Sequence, residues 1–118
     1  MRLVLVVEDD EDTRAALGEI LADEGYSVSE ASDGATALRR LNSQRPDLVL
    51  LDLGLPEMRG EELLRSKASD PALAAIPVIV LSGATRQVGL PGVSASVPKP
   101  FDLEDVVALV RQFAGPPG

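Results

Sequence analysis

Five short apolar stretches recur along the chain, each bounded by polar residues, glycine or proline. They are Leu3–Val7, Tyr26–Ala31, Leu48–Leu51, Pro77–Leu81 and Val93–Val97. The first, third and fourth are unbroken apolar runs, which are typical of strands buried on both faces of a parallel sheet. The second alternates polar and apolar positions, which indicates a less buried strand.

Amphipathic segments separate these stretches. Apolar residues at three- and four-residue spacing predict helices over Asp12–Glu24, Gly34–Ser43, Glu61–Lys67 and, after a cap at Asp102, to about Phe113. Strands that alternate with helices form βαβ units with right-handed crossovers. The pattern therefore predicts an α/β fold, with a flavodoxin-like doubly wound sheet of five parallel strands in the order 2-1-3-4-5.

Composition excludes several functional classes. The chain of 118 residues has no cysteine and no histidine, so it has no thiol chemistry, no imidazole base and no phosphohistidine of its own. Its net charge of −8 is a poor match for nucleic acid or anionic lipid. No apolar run approaches the ~20 residues that span a bilayer, and no signal-peptide core is present. We therefore expect a cytoplasmic domain that binds neither nucleic acid nor membrane directly.

Acidic residues follow two of the predicted central strands. Glu8 and Asp9 come directly after the first apolar run, and Asp52 ends the third. Strands 1 and 3 are neighbours at the switch point of the predicted sheet, where such folds bind ligands. We therefore expect these carboxylates to meet in one crevice, and clustered carboxylates favour a hard divalent cation.

Two further strand ends face the same crevice. The fourth strand ends at Ser82, and Lys99 follows the fifth. Four motifs, each at a strand end, carry a resemblance: Val-Val-Glu-Asp-Asp, Leu-Leu-Asp-Leu-Gly-Leu-Pro-Glu-Met-Arg-Gly, Leu-Ser-Gly-Ala and Lys-Pro-Phe. Together they resemble the receiver domain of response regulators in bacterial two-component systems, including chemotaxis receivers, from Leu3 to about Phe113.

The resemblance implies a role for each residue. Asp52 would be the phosphoacceptor, a carboxylate nucleophile that becomes an aspartyl phosphate. Mg²⁺ would be held by Glu8, Asp9 and Asp52, with the backbone carbonyl of Gly54 as a further ligand. Lys99 would pair with Asp52 in the resting state and contact the phosphoryl oxygens.

Two other features implied by the resemblance concern the switch. Ser82 and the Gly83 N–H would move toward the phosphoryl group. The Lys99–Pro100 bond would be cis, since X-Pro bonds adopt cis at modest cost.

The implied function is that of a phosphoacceptor in a phosphorelay. The donor would be a sensor histidine kinase or a phosphotransfer protein, and the downstream effector is unknown. The chain would not be an enzyme beyond self-phosphorylation from a donor and slow autodephosphorylation. One alternative is a receiver-like module that binds partners independently of phosphate. Another, a metal-dependent phosphohydrolase, is disfavoured because Gly54 stands where such enzymes usually carry a second aspartate.

The chain departs from the family pattern near its end. Sixteen residues separate Ser82 from Lys99, and five of them are Gly83, Gly89, Pro91, Gly92 and Pro98. A helix of ordinary length has no room between these helix breakers, so we expect the fourth helix to be missing or vestigial. Ser96 also replaces the aromatic that the family commonly has there, which puts the usual aromatic relay in doubt.

The domain organisation is simple. Residues 1–114 are predicted to be the receiver domain, and 115–118, Gly-Pro-Pro-Gly, a tail or the start of a linker.

Overall fold

A computed structural model of the protein describes residues 2–53, 60–82 and 92–118. The strands in these ranges are β1 (Leu3–Val7), β2 (Ser27–Ala31), β3 (Leu48–Asp52), β4 (Val78–Ser82) and β5 (Val93–Pro98). The helices are α1 (Glu11–Asp23), α2 (Gly34–Gln44), α3 (Gly60–Ala68) and α4 (Leu103–Ala114).

The five strands form one parallel sheet in the order β2-β1-β3-β4-β5, which confirms the predicted topology. β5 lies at an edge and tolerates Pro98, since an edge strand has one side without ladder bonds. The central strands β1 and β3 lie side by side, with Val7 opposite Leu51.

Helices cover both faces of the sheet, because alternate residues of each central strand point to opposite sides. On one face, Val4, Val6, Leu48 and Leu50 pack with residues of α1 and α4. On the other face, a separate cluster joins the intervening strand residues to α2 and α3, through Leu5, Val7, Val49, Leu51, Ala37, Leu41, Leu63 and Leu64. The apolar runs are thus continuous because both faces of the sheet are buried.

Capping residues set where the helices begin and end. Asp33 caps α2 by accepting a hydrogen bond of 2.7 Å from Thr36 N. α1 begins one residue earlier than the sequence predicted, because Asp10 is its cap and accepts from Thr13 N at 2.9 Å. Gly25, with φ of +102°, follows the end of α1 in a conformation that other residues rarely adopt.

The prediction that the fourth helix is missing or vestigial concerned the segment between β4 and β5. A fourth helix is present, α4, but it follows β5 and is the last helix that the sequence predicted. The short segment expected in place of a helix between β4 and β5 falls on 83–91, outside the described residues. Within the described ranges, no helix has the length and apolar character needed to cross a membrane.

Candidate functional site

Acidic residues from two adjacent strands meet at the carboxyl end of the sheet. Glu8 directly follows β1 and Asp52 ends β3, so the parallel pairing places them side by side. Glu8 is fully buried, Asp52 is 6% exposed, and Asp9 is exposed. One carboxylate oxygen of each of the three residues lies within 4.8 Å of the others. The structure therefore brings together the three acids that the sequence singled out.

Lys99 supplies positive charge to this cluster from the far edge of the sheet. It follows β5, and its Nζ lies 2.8 Å from Glu8 Oε1 and 3.4 Å from Asp52 Oδ2. The flexible four-carbon stem of lysine lets its ammonium reach over from a strand that is not adjacent to either acid. The Lys99–Pro100 peptide bond is cis.

Burial and charge perturb the ionisation of these groups. Burial, and after it the neighbouring Asp52 carboxylate, raise the pKa of Glu8 to about 7, although the hydrogen bond from Lys99 acts in the opposite direction. Burial by itself would lower the pKa of Lys99, but Glu8 and Asp52 outweigh it and raise that pKa above its usual value. The protonation state of each of these groups therefore depends on the charges of the others.

The loop after β1 is held by contacts that the sequence analysis missed. The Asp10 N–H donates to Glu8 Oε2 at 3.3 Å, and Arg14 Nη1 donates to the Glu8 carbonyl at 2.9 Å. Arg14 Nε also pairs with Glu30 Oε1 at 3.3 Å. The Asp10–Thr13 spacing signals a helix cap, but no sequence pattern marks Arg14, because its partner on β2 is distant in sequence.

The donor set fits a magnesium ion. Mg²⁺ prefers carboxylate and other oxygen ligands at about 2.0–2.1 Å, so two of its ligands stand at most ~4.2 Å apart. The oxygens of Glu8, Asp9 and Asp52 are within 4.8 Å of one another, and modest side-chain rotation would close the difference. Among the described residues, when all groups are ionised, three carboxylates face one ammonium, which leaves an excess of negative charge for a cation to neutralise.

The other predicted site residues are described only in part. The backbone of Ser82 ends β4, opposite Pro98 of β5, while its side chain is outside the described portion. Gly54 and Gly83 also lie outside the described residues. Ser96 is exposed on β5.

An open groove of about 600 Å³ adjoins the crevice between α1 and the segment that leads into α4. Its wall is mostly apolar and includes Thr13, Ala16, Phe101 and Leu103, and Lys99 lines the end nearest the acids. A partner that entered this groove would therefore lie beside the acidic crevice.

Comparison with known proteins agrees with this arrangement. The family model of the response regulator receiver domain matches residues 4–111. Among curated relatives, response regulator MprA of Mycolicibacterium vanbaalenii is 40% identical, with 92% of this chain and 48% of that protein covered. MprA of Mycobacterium avium is 39% identical, with 92% and 49% covered. The chain thus spans about half the length of the curated relatives it matches.

Solved structures show the same fold. The chemotaxis response regulator CheY4 of Vibrio cholerae has a TM-score of 0.89 at 26% identity, with 96% of this chain and 98% of that chain covered. The receiver domain of the sensor histidine kinase PA1611 from Pseudomonas aeruginosa, which has a magnesium ion coordinated in its active site cleft, has a TM-score of 0.88 at 25% identity, with 97% and 98% covered. The chain therefore belongs to the response regulator receiver domain family of two-component signalling.

Proposed function

We propose that this receiver domain accepts a phosphoryl group on Asp52, from a phosphohistidine of another protein and with Mg²⁺ bound, and that it signals through the resulting change of conformation. The observation that carries this proposal is the position of Asp52, nearly buried, 3.4 Å from the Lys99 ammonium and beside Glu8 and Asp9. The donor histidine must lie outside these 118 residues, because they contain no histidine.

The chemistry follows from the charges. An Asp52 carboxylate oxygen forms a bond to phosphorus, and the bond from phosphorus to the donor nitrogen breaks, so that the leaving imidazole keeps the electron pair. An anion that attacks an anionic phosphoryl group needs fixed positive charge nearby. Lys99 supplies such a charge within reach of both Asp52 and any group attached to it.

The magnesium ligands in this proposal are the carboxylates of Glu8, Asp9 and Asp52, with the Gly54 carbonyl as a further ligand. Once bound by these residues, Mg²⁺ would supply positive charge that offsets the negative charge of the incoming phosphoryl group. Asp10 and Arg14 support this site from outside, since the Asp10 N–H donates to the Glu8 side chain and Arg14 to the Glu8 carbonyl.

The switch in this proposal uses Ser82 and Gly83. A phosphoryl group adds about −1.5 to −2 charges and three acceptor oxygens. It therefore stabilises any state in which the Ser82 hydroxyl and the Gly83 N–H approach it. Slow hydrolysis of the acyl phosphate would then return the domain to its resting state. The rate of this hydrolysis would set the lifetime of the signal.

The groove beside Lys99 is the proposed approach route for the donor. Its wall is mostly apolar, with Ala16, Phe101 and Leu103, and would therefore accommodate an apolar side chain of the partner. The histidine-bearing partner would then place its phosphoryl group against Asp52.

Incubation with a small-molecule phosphodonor and Mg²⁺, followed by intact mass spectrometry, tests the proposal. The expected result is a gain of one phosphoryl group that disappears in Asp52→Asn and persists in Asp23→Asn, an exposed acid on α1. No gain in the parent chain, or an equal gain in Asp52→Asn, would refute the assignment of the acceptor. A phosphate-independent binding module would then become the better interpretation.

A further inference from the structure

The last residues of the chain lie against the amino end of the sheet. Arg2 N donates to the Pro117 carbonyl at 3.1 Å, and Arg2 Nε donates to the Pro116 carbonyl at 3.2 Å. The Tyr26 hydroxyl donates to the Gly115 carbonyl at 2.6 Å. Three consecutive carbonyls of the tail are therefore bound by residues that precede β1 and β2.

Two glycines make this close approach possible. A Cβ at Gly25 would lie 3.3 Å from the ring of Pro117, and a Cβ at Gly115 would lie 3.3 Å from Arg2 Nε. Both glycines also have positive φ, +102° and +82°, a region that other residues adopt only with strain. Each of the two contacting segments thus has a glycine at the position where a side chain would hinder the contact.

The tail leaves from a fixed point. Ala114, the last residue of α4, is buried, as are Val106 and Val110 of the same helix. An ion pair between Arg111 and Glu24 also joins the last turn of α4 to the end of α1. Gly115 therefore starts in a defined position relative to Tyr26.

The amino end of β1 is also fixed. Leu3 N donates to Asp47 Oδ2 at 2.7 Å, and Asp47 N donates to the Leu3 carbonyl at 2.8 Å. Arg2 is thereby held next to the sheet, where it can present its N–H and guanidinium to the tail. Proline also limits the conformations of the undocked tail, so docking costs less entropy than it would for a flexible segment.

We propose that Arg2, Gly25 and Tyr26 form a docking notch for Gly115–Pro117, and that this notch sets the direction in which any polypeptide joined after Gly118 leaves the domain. The functional boundary of the domain then lies after Pro117 rather than after residue 114. The tail acts as a strap and not as the first part of a free linker.

The position of the notch gives it a consequence for signalling. It lies at the amino end of β1, whereas Glu8 and Asp52 lie at the carboxyl end of the sheet. A five-residue strand separates the two ends by about 16 Å, at ~3.3 Å per residue. A joined polypeptide would therefore leave in a fixed direction from the end opposite the acidic crevice. The notch does not depend on the chemistry of Asp52.

Double electron–electron resonance, which measures the distance distribution between two nitroxide labels, tests this inference. The chain has no cysteine, so labels attach only at Gly118→Cys and Ser32→Cys. A Cβ at Gly118 meets nothing within 4 Å, and Ser32 is exposed beyond the carboxyl end of β2. The expected distance distribution is single and narrow in this labelled chain. It should broaden at least twofold in the background Arg2→Gln/Tyr26→Phe, and stay narrow in the control Arg65→Gln, an exposed arginine of α3.

Each outcome decides the matter. A broad distribution in the labelled parent would show that the tail is free and would overturn the inference. A narrow distribution that the double variant leaves unchanged would overturn the assignment of Arg2 and Tyr26 as the notch. If the double variant does not fold, Tyr26→Phe alone keeps the ring in the core and removes only the hydroxyl donor.

Tyr26 also provides an independent spectroscopic readout of tail docking, because it is the only tyrosine in the chain and there is no tryptophan. Burial raises the pKa of Tyr26 above its usual value, while Arg111 and Arg2 lower it and Glu24 raises it. Removal of residues 115–118 should expose the phenol and shift its ultraviolet titration to lower pH. An unchanged titration midpoint would show that the tail does not cover Tyr26 and would contradict the notch.

Discussion

Lys99 Nζ lies closer to Glu8 Oε1, at 2.8 Å, than to Asp52 Oδ2, at 3.4 Å. The sequence analysis paired this lysine with Asp52 alone. The structure places it between two acids, so that one ammonium partly neutralises both. Lys99 and a metal cation would therefore act on the same excess of negative charge.

Replacement of Lys99 should slow phosphorylation without abolishing magnesium binding. Lys99→Met is expected to reduce the rate with a small phosphodonor by roughly a hundredfold, since one preorganised positive group in such a site contributes about 10²–10³ in rate. Intact mass spectrometry over time measures the rate. The chain has one other lysine, and the same change there, Lys67→Met, is the matched control. Equal rates in the parent and in Lys99→Met would contradict the role given to Lys99.

Replacement of Glu8 should weaken magnesium binding. Glu8→Gln removes one charge from the group of three carboxylates, and we expect at least a roughly tenfold loss of affinity, the scale seen when groups supporting a metal site are changed. Isothermal titration calorimetry with MgCl₂ measures this loss. Glu19→Gln, an exposed acid of α1, should bind as the parent does. Retention of full affinity in Glu8→Gln would exclude Glu8 as a ligand or as support for one.

Lys67 should make stability depend on pH in the alkaline range. Lys67 is 2% exposed, its Nζ donates to the Ala74 carbonyl at 3.1 Å, and no ion pair to it is found among the described residues. Burial lowers the pKa of Lys67 below 10.5. The charged amine therefore destabilises the fold at neutral pH, and this penalty disappears as pH rises through the folded pKa toward 10.5.

Urea unfolding of Lys67→Met across pH tests this linkage. The variant should be more stable than the parent by about 1 kcal/mol at pH 7, because a buried charge is replaced by an apolar chain of similar length. The difference should shrink above the folded pKa of Lys67, where the parent no longer carries the charge. A difference that is constant from pH 7 to 11, or of opposite sign at pH 7, would refute the prediction.

Arg14 should act on the acidic site through the backbone of Glu8 rather than through its ion pair. Arg14→Met removes the donor to the Glu8 carbonyl and the pair with Glu30, whereas Glu30→Gln removes only the ion pair. We expect Arg14→Met to lower the phosphorylation rate severalfold and the free energy of unfolding by about 1 kcal/mol. Glu30→Gln should change the free energy of unfolding by less than ~1 kcal/mol and leave the rate unaltered. If both variants slow phosphorylation equally, the ion pair is what matters.

Much of the fold was predictable because its signals are local. The apolar run Leu48–Leu51 and the spacing of Leu17 and Leu21 predict a buried strand and an amphipathic helix from neighbouring residues alone. The helix ends were predicted less accurately, since capping depends on which acidic residue adopts the required backbone angles. α1 begins at Glu11, after its cap Asp10, and not at Asp12 as predicted. Asp102 precedes α4 as predicted, yet its side chain makes no capping hydrogen bond.

The candidate site was predictable to the extent that it follows from strand ends. The strand order places Glu8 beside Asp52 by topology, and the sequence reveals that order through the alternation of strands and helices. The sharing of Lys99 by Glu8 and Asp52, and the anchoring of Glu8 by Arg14, depend on side-chain distances between distant segments. No local pattern encodes those distances.

The sequence by itself determined the class of fold and singled out three acids and one lysine as candidate site residues. It could do so because hydrophobic periodicity and residue type are local properties. Tertiary structure alone decided the burial of Glu8, its pKa of about 7, and the docking of Gly115–Pro117 on Arg2 and Tyr26. The sequence favoured a free tail there, since Gly-Pro-Pro-Gly has no periodicity. Burial and hydrogen bonding between segments more than 80 residues apart arise only when the whole chain has packed, and they give these residues their properties.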